Sequence, residues 1–220
     1  MLAANLISYA VPPLKGKDSG DKALTWMNDF HVRHLPVVKD GILVGILSED
    51  EVLNFEDPSL SVEENDPEFL YRYVTPEQHL FDAMKLIVDA DLTIVPVVDA
   101  EFKYLGLITL ESIVKHFAEA GAITHPGGII LIQMNPRDYS LAEIARIVES
   151  ENTKILSCFI STPHGLENLE LTLKLNRQDL KHVIATLTRF GYDVKSSYFE
   201  SDDIDTLRDR YDGLIRYLDV

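Results

Sequence analysis

Apolar residues recur with a helical period over Ala23, Leu24, Met27 and Phe30, and again over Leu80, Ala83, Met84 and Ile87. Each stretch gives way to a short apolar run, Leu35–Val38 or Ile94–Val98, of the kind that forms a buried strand. The runs turn at Lys39-Asp40-Gly41 and at Asp99 to Lys103 into return strands over Leu43–Leu47 and Tyr104–Ile108. A helix begins at Ser48 in the first stretch, and its counterpart in the second continues through Ile113 to Phe117. The two stretches are copies of each other. Leu35-Pro36-Val37-Val38 is echoed 60 residues later by Val95-Pro96-Val97-Val98, and Gly45-Ile46-Leu47-Ser48 is echoed 61 later by Gly106-Leu107-Ile108-Thr109. The extra residue falls in the hairpin turn, where insertions are tolerated, so the chain opens with an internal repeat.

From Gly128 the pattern changes. Apolar strands are predicted over Ile129–Met134, Ile155–Ser161, Leu169–Leu175 and Tyr192–Phe199, with amphipathic helices over Leu141–Val148 and Leu180–Phe190. That order is βαββαβ, a ferredoxin-like split, and the fold class is α/β (α+β). Asp138-Tyr139-Ser140 and Asn176 to Asp179 supply caps for the two helices, and Gly191 supplies a C-terminal stop. The domain plan is then a first repeat at 1–55, an acidic solvated linker at 56–72, and a second repeat at 73–122. A Gly- and Pro-containing connection follows at 123–128, the βαββαβ unit at 129–200, and an amphipathic terminal helix at 201–220.

Composition narrows the function. Across 220 residues, Asp and Glu number 36 against 20 Lys and Arg, a formal charge of −16. Such a chain repels phosphate backbones and anionic membranes, so no nucleic-acid or membrane partner is expected. The single cysteine, Cys158, leaves no intramolecular disulfide and suits a reducing cytoplasm. Met1 to Val11 lacks a basic signal-peptide start, and no apolar run approaches the roughly 20 residues of a membrane span. No local nucleophile signature surrounds Ser140, Ser161 or Cys158. His31 and His34 stand three apart but lack further ligands nearby, so neither catalysis nor a metal is expected.

The duplicated helix, h-P-V-V strand, turn and G-h-h-[ST] helix start resembles the CBS domain family, whose members pair to bind adenine nucleotides. The βαββαβ unit resembles an ACT domain, a regulatory fold that often takes an amino acid at a dimer interface. The whole arrangement is similar to bacterial accessory proteins of the acetoin-utilisation type. The resemblance implies a non-catalytic sensor that binds AMP, ADP or ATP as a regulatory ligand, requires no cofactor, and signals through a homodimer to an unidentified regulated protein. The alternative is an oligomerisation or docking module whose ligand sites have decayed.

The nucleotide site implied by the resemblance draws on Lys15, Arg33, His34, Pro36, Ser48 and Glu51 in the first repeat, and on Thr75, Thr93, Pro96, Thr109 and Ser112 in the second. Glu51 stands where the family has an Asp for the ribose hydroxyls, but Ser48-Glu49-Asp50-Glu51 also reads as an ordinary S-x-x-E capping box. Ser112 occupies the acid's place in the second repeat, so the better site is expected in the first, with Ser48 and Glu51 helped by Lys15, Arg33 or His34. Lys15 in a Pro-rich loop also reads as a solvated lysine, the more common fate, and Arg33-His34 as a polar strand entry. In the ACT-like unit, Asn135 and Asp138 are candidates for an amino acid's polar groups, although Asn replaces the usual Asp and the loop has no Gly.

Overall fold

The structure is a computed structural model, and it describes residues 1–163 and 167–199. The predicted helix at 201–220 lies outside the described residues. The chain divides into two compact units, Met1–His116 and Phe117–Val220.

In the first unit the repeat is visible element by element. Helix α1 (Gly20–Asp29) leads to the hairpin β1 (His34–Lys39) and β2 (Ile42–Ser48), then to the short α2 (Glu49–Leu53). After α3 (Val62–Asn65), the second copy runs as α4 (Leu80–Asp89), β3 (Ile94–Val98), β4 (Tyr104–Thr109) and α5 (Leu110–Ala120). The same local physics sets both copies. Ser19 caps α1 by accepting the Lys22 amide at 3.2 Å, and its repeat equivalent His79 caps α4 through Nδ1, accepting the Phe81 amide at 3.2 Å. Both helices are followed by a left-handed residue, His31 at φ 54° and Asp91 at φ 48°, which reverses the chain into the strand. His34 therefore sits in a strand and not one helical turn from His31.

The segments entering each repeat tie the copies together. Ser8 pairs with Leu107 of the second hairpin through two backbone bonds of 2.8 and 3.1 Å before Leu14 joins its own strand beside Val37. Likewise Leu70 pairs with Ile46 of the first hairpin at 2.9 and 3.0 Å before Val74 joins beside Val97. Each hairpin is thus completed by a strand from the other copy, and neither buries its apolar face alone. Leu35, Val37, Ile46 and Leu47 from one hairpin, and Ile94, Val95, Leu107 and Ile108 from the other, are essentially inaccessible.

The acidic stretch expected to be a solvated linker is instead pinned along the start of α1. Gly20 and Asp21 donate to the carbonyls of Leu60 and Pro58, and Val62 and Glu63 donate to those of Asp18 and Gly16, at 2.8 to 3.2 Å. Val62 is fully buried. The cause is a reciprocal capping box: Ser61 accepts the Glu64 amide at 3.2 Å, and Glu64 accepts the Ser61 amide at 3.0 Å, which starts α3 within an otherwise acidic run.

The second unit has the predicted order: β5 (Gly128–Met134), α6 (Leu141–Ser150), β6 (Ile155–Ser161), β7 (Leu169–Leu175), α7 (Lys181–Arg189) and β8 (Asp193–Phe199). The sheet order is β6-β7-β5-β8, antiparallel at every neighbour pair, which is the ferredoxin-like arrangement. Alternation along β5 and β7 sends Ile130, Ile132, Leu171 and Leu173 into one core with Ile144, Val148, Val183 and Leu187 of the helices. The opposite face of the sheet carries Ile129, Leu131, Thr172 and Lys174. Ser140 caps α6, and Asp179 accepts the Lys181 amide at 3.2 Å at the start of α7.

Candidate functional site

Four of the residues singled out from the sequence converge where the two hairpins start. The Thr93 hydroxyl accepts the Arg33 amide at 3.0 Å and lies 3.1 Å from His34 Nδ1, which also accepts the Thr93 amide at 3.2 Å. Ser48 is the register partner of His34, so its hydroxyl stands at the same end of β1. The Glu49 amide donates to the Arg33 carbonyl at 2.8 Å, and the equivalent Leu110 amide donates to the Thr93 carbonyl at 3.0 Å. A cleft of about 210 Å³ opens here, lined by Arg33, His34, Ser48, Asp50, Leu70 and Asp91 among others. Leu70 reaches it because the second entering segment crosses onto β2.

The electrostatics of this cleft are mixed. Arg33 pairs with Asp91 at 2.8 Å, and that hydrogen bond, then the carboxylate's charge, raises the guanidinium pKa above its ordinary value. His34 is 7% exposed; burial, and then the neighbouring Arg33 charge, push its pKa below the usual histidine value. The imidazole is thus held neutral while Arg33 is the cation. Glu49, Asp50 and Asp91 supply three carboxylates against it.

The Ser48-to-Glu51 motif does something the sequence did not indicate. Ser48 Oγ accepts the Glu51 amide at 3.1 Å, as an N-cap does, but Glu51 does not reach back to close the box. Its carboxylate instead accepts the Glu68 amide at 3.0 Å, fastening the second entering segment. In the other copy, Thr109 caps the Ser112 amide at 3.0 Å, and the Ser112 hydroxyl donates to the Thr109 carbonyl at 2.7 Å.

Lys15 is not brought to Ser48 and Glu51, which corrects the expectation of one shared site. It follows Leu14, whose bridge partner is Val37, and it lines a separate cleft of about 590 Å³ with Lys17, Lys39 and Glu63. Because a strand advances about 3.3 Å per residue, Val38 stands roughly 13 Å along β1 from His34. Thr75 occupies the matching turn, its amide donating to Gln78 at 2.7 Å, just as Lys15 donates to Asp18 at 2.8 Å. Pro36 and Pro96 are buried mid-strand, each accepting from an entering segment, Leu14 at 2.8 Å and Val74 at 3.0 Å.

Asp91 and Leu70 line the cleft, and the Glu68 amide holds Glu51 beside it, but none of the three was legible as such. Asp91 aligns with His31, which carries no acid, and the other two arrive from a segment with no motif. In the second unit, Asn135 and Asp138 lie together in a cleft of about 540 Å³ with Arg137, Glu143 and Tyr192. Asn135 accepts the Arg137 amide at 3.0 Å, and Tyr192 donates to Glu143 at 3.2 Å. Among the described residues, no group of three or more His, Cys, Asp or Glu side chains is placed to hold a metal ion, and no helix is long and apolar enough to cross a membrane.

Two copies of a helix-and-hairpin unit, each completed by a strand from the other, define a paired module. Residues 11–57 and 68–119 match the CBS domain, so the chain carries a tandem CBS domain pair. Among solved structures, a CBS domain pair/ACT domain protein from Thermotoga maritima aligns at 20% identity and TM-score 0.49, over 55% of this chain and 98% of that one. CBSX2 in complex with AMP aligns at 23% identity and TM-score 0.47, over 54% and 96%. A CBS domain pair in complex with methylthioadenosine and S-adenosyl-L-methionine aligns at 22% identity and TM-score 0.44, over 54% and 97%.

Proposed function

We propose that the chain is a non-catalytic cytoplasmic sensor whose CBS pair takes an adenine nucleotide at the cleft beside Ser48, and that occupancy is relayed through a homodimer to a regulated protein. The observation that carries this reading is the convergence of Arg33, His34 and Ser48 from one copy with Thr93 from the other, at a cleft bordered by both copies. A ligand seated there touches both halves, so its affinity depends on their arrangement, which is what a population shift requires. Arg33 is the group for a phosphate, its guanidinium exchanging Asp91 for the ligand. Glu51 is the group for the ribose, exchanging the Glu68 amide. Thr109 and Ser112 form the matching helix start of the second copy, Pro36 and Pro96 back the strands from within the core, and Lys15 and Thr75 act only on a ligand extending along the strands. The βαββαβ unit is read as ACT-like, with Asn135 and Asp138 facing the space where an amino acid's polar groups would bind.

The second reading is a docking module with decayed sites. It is favoured by the internal hydrogen bonds already held by Glu51 and Ser112. Calorimetric titration with AMP, ADP and ATP, paired with mass measurement by light scattering, separates the two. Saturable heat with one of them and a nucleotide-dependent change in dimer behaviour supports the sensor. No heat and no thermal shift at millimolar nucleotide sinks it in favour of docking.

A further inference from the structure

We propose that the face of the four-stranded sheet opposite α6 and α7 holds a second ligand site, one for a small monocarboxylate with an apolar body, with Lys174 as its counter-ion. Register places Ser157, Lys174, Ile129 and Tyr198 in one row across all four strands, pointing away from the helices. Phe159 and Thr172 form the next row toward the centre of the sheet. The segment entering β5 passes over this end: the Ser157 hydroxyl donates to the Gly121 carbonyl at 2.7 Å, and Ile123 and Gly127 wall the space. The result is a cleft of about 390 Å³ with mostly apolar walls.

Lys174 is the anomaly in it. The residue is 7% exposed, yet among the described residues it has no carboxylate within ion-pair distance. A lysine on an open sheet face normally extends its ammonium into water, and keeping one covered and unpaired is costly. The hydroxyls of Thr172 and Tyr198 in the lining are neutral and do not balance a full charge, whereas an anion in the cleft does. One ammonium matches one negative charge, and a phosphate would require more donors than this row offers. Ile129, Ile123, Phe159 and Tyr198 then cover the apolar remainder of the ligand, in the usual pattern of a mainly apolar pocket with few polar groups.

The test uses the full-length chain and four probes: phenylacetate and hexanoate, with the uncharged alcohols phenylethanol and hexanol of matching shape. The expected result is saturable binding of the carboxylates at least about tenfold tighter than the alcohols, with chemical-shift changes at Ile129 and Phe159. Lys174→Met should fold, judged by circular dichroism, and lose at least about tenfold in carboxylate affinity while leaving the alcohols unchanged; Lys174→Arg should retain binding. Ile129→Trp, which fills the cleft and leaves the charge in place, should block all four probes. Equal affinity for carboxylates and alcohols, undiminished carboxylate binding to Lys174→Met, or undiminished binding of any probe to Ile129→Trp overturns the proposal. So does a dimer that binds no probe and becomes monomeric when Phe159 is changed to Lys, because the face is then occupied by a second copy.

Discussion

His34 and Thr93, 59 residues apart, meet through the same ring nitrogen: Nδ1 accepts the Thr93 amide at 3.2 Å and lies 3.1 Å from its hydroxyl. The hydroxyl oxygen already accepts the Arg33 amide, so its own hydrogen is free to point at Nδ1. A nitrogen that accepts from an amide cannot carry a proton, so the ring is neutral with its hydrogen on Nε2. Burial and then the Arg33 charge lower the His34 pKa, against the weaker pull of Asp91 and Asp50. In the unfolded chain this histidine titrates near about 6.5. Between that value and the lower folded one, the unfolded state binds more protons, so stability rises with pH across the window. The contribution is complete above the unfolded pKa and is lost as pH falls through the folded pKa. The melting temperature should therefore drop between about pH 7.5 and about pH 5 by more in the native chain than in His34→Asn, whose amide oxygen can replace Nδ1 as acceptor.

The crossing of each entering segment onto the opposite hairpin depends on two glycines. A Cβ at Gly45 would stand 2.6 Å from Phe69 Cβ, and one at Gly106 would stand 2.5 Å from Ile7 Cγ2 and 3.1 Å from the Ser8 carbonyl. Gly45→Ala should cost about 1–3 kcal/mol through crowding alone. Gly106→Ala should cost more, because its φ of 138° adds backbone strain. Gly41→Ala is the control: φ is 84° but nothing lies within 4 Å, so only the backbone cost, about 1 kcal/mol, is expected. Urea unfolding of the three variants should rank them Gly106, Gly45, Gly41.

What the sequence disclosed and what it withheld divide along physical lines. The duplication showed in Pro36 and Pro96 because each hairpin's apolar rhythm is local, and the βαββαβ order showed for the same reason. The exchange of strands did not: Ser8 and Leu70 pair with residues far along the chain, and nothing in their neighbours records that. The two S-x-x-E motifs make the point at the level of one side chain. Ser61 and Glu64 close a capping box inside an acidic run, while Ser48 and Glu51 leave theirs half open because the Glu68 amide is a competing donor. The resemblance implies that Lys15 lines the same cleft as Ser48, yet the length of β1 holds them apart.

Cys158 offers a chemical check on which way β6 faces. Its register partner is Leu173, a core residue, and burial pushes its thiol pKa up. Since the thiolate is the reactive form, a disulfide reagent at about pH 8 should modify the native protein much more slowly than the chain in denaturant. Equal rates would mean that Cys158 lies on the face opposite α6 and α7 with Phe159's row.

The half-open cap at α2 separates a structural role from a ligand role. Ser48→Ala removes the hydrogen bond to the Glu51 amide and should cost about 1 kcal/mol. Glu51→Ala frees the Glu68 amide, which water can then solvate, so its cost should be smaller, about 0.5–1 kcal/mol. Neither number depends on a ligand. Nucleotide does discriminate: if Glu51 leaves Glu68 to take the ribose, Glu51→Ala loses the thermal shift that AMP, ADP or ATP gives the native chain. Ser48→Ala should then weaken that shift in step with the lost hydroxyl. Should Glu51→Ala respond to nucleotide as strongly as the native chain, the carboxylate is a strap for the entering segment only, and the ribose must be held by other groups in the cleft.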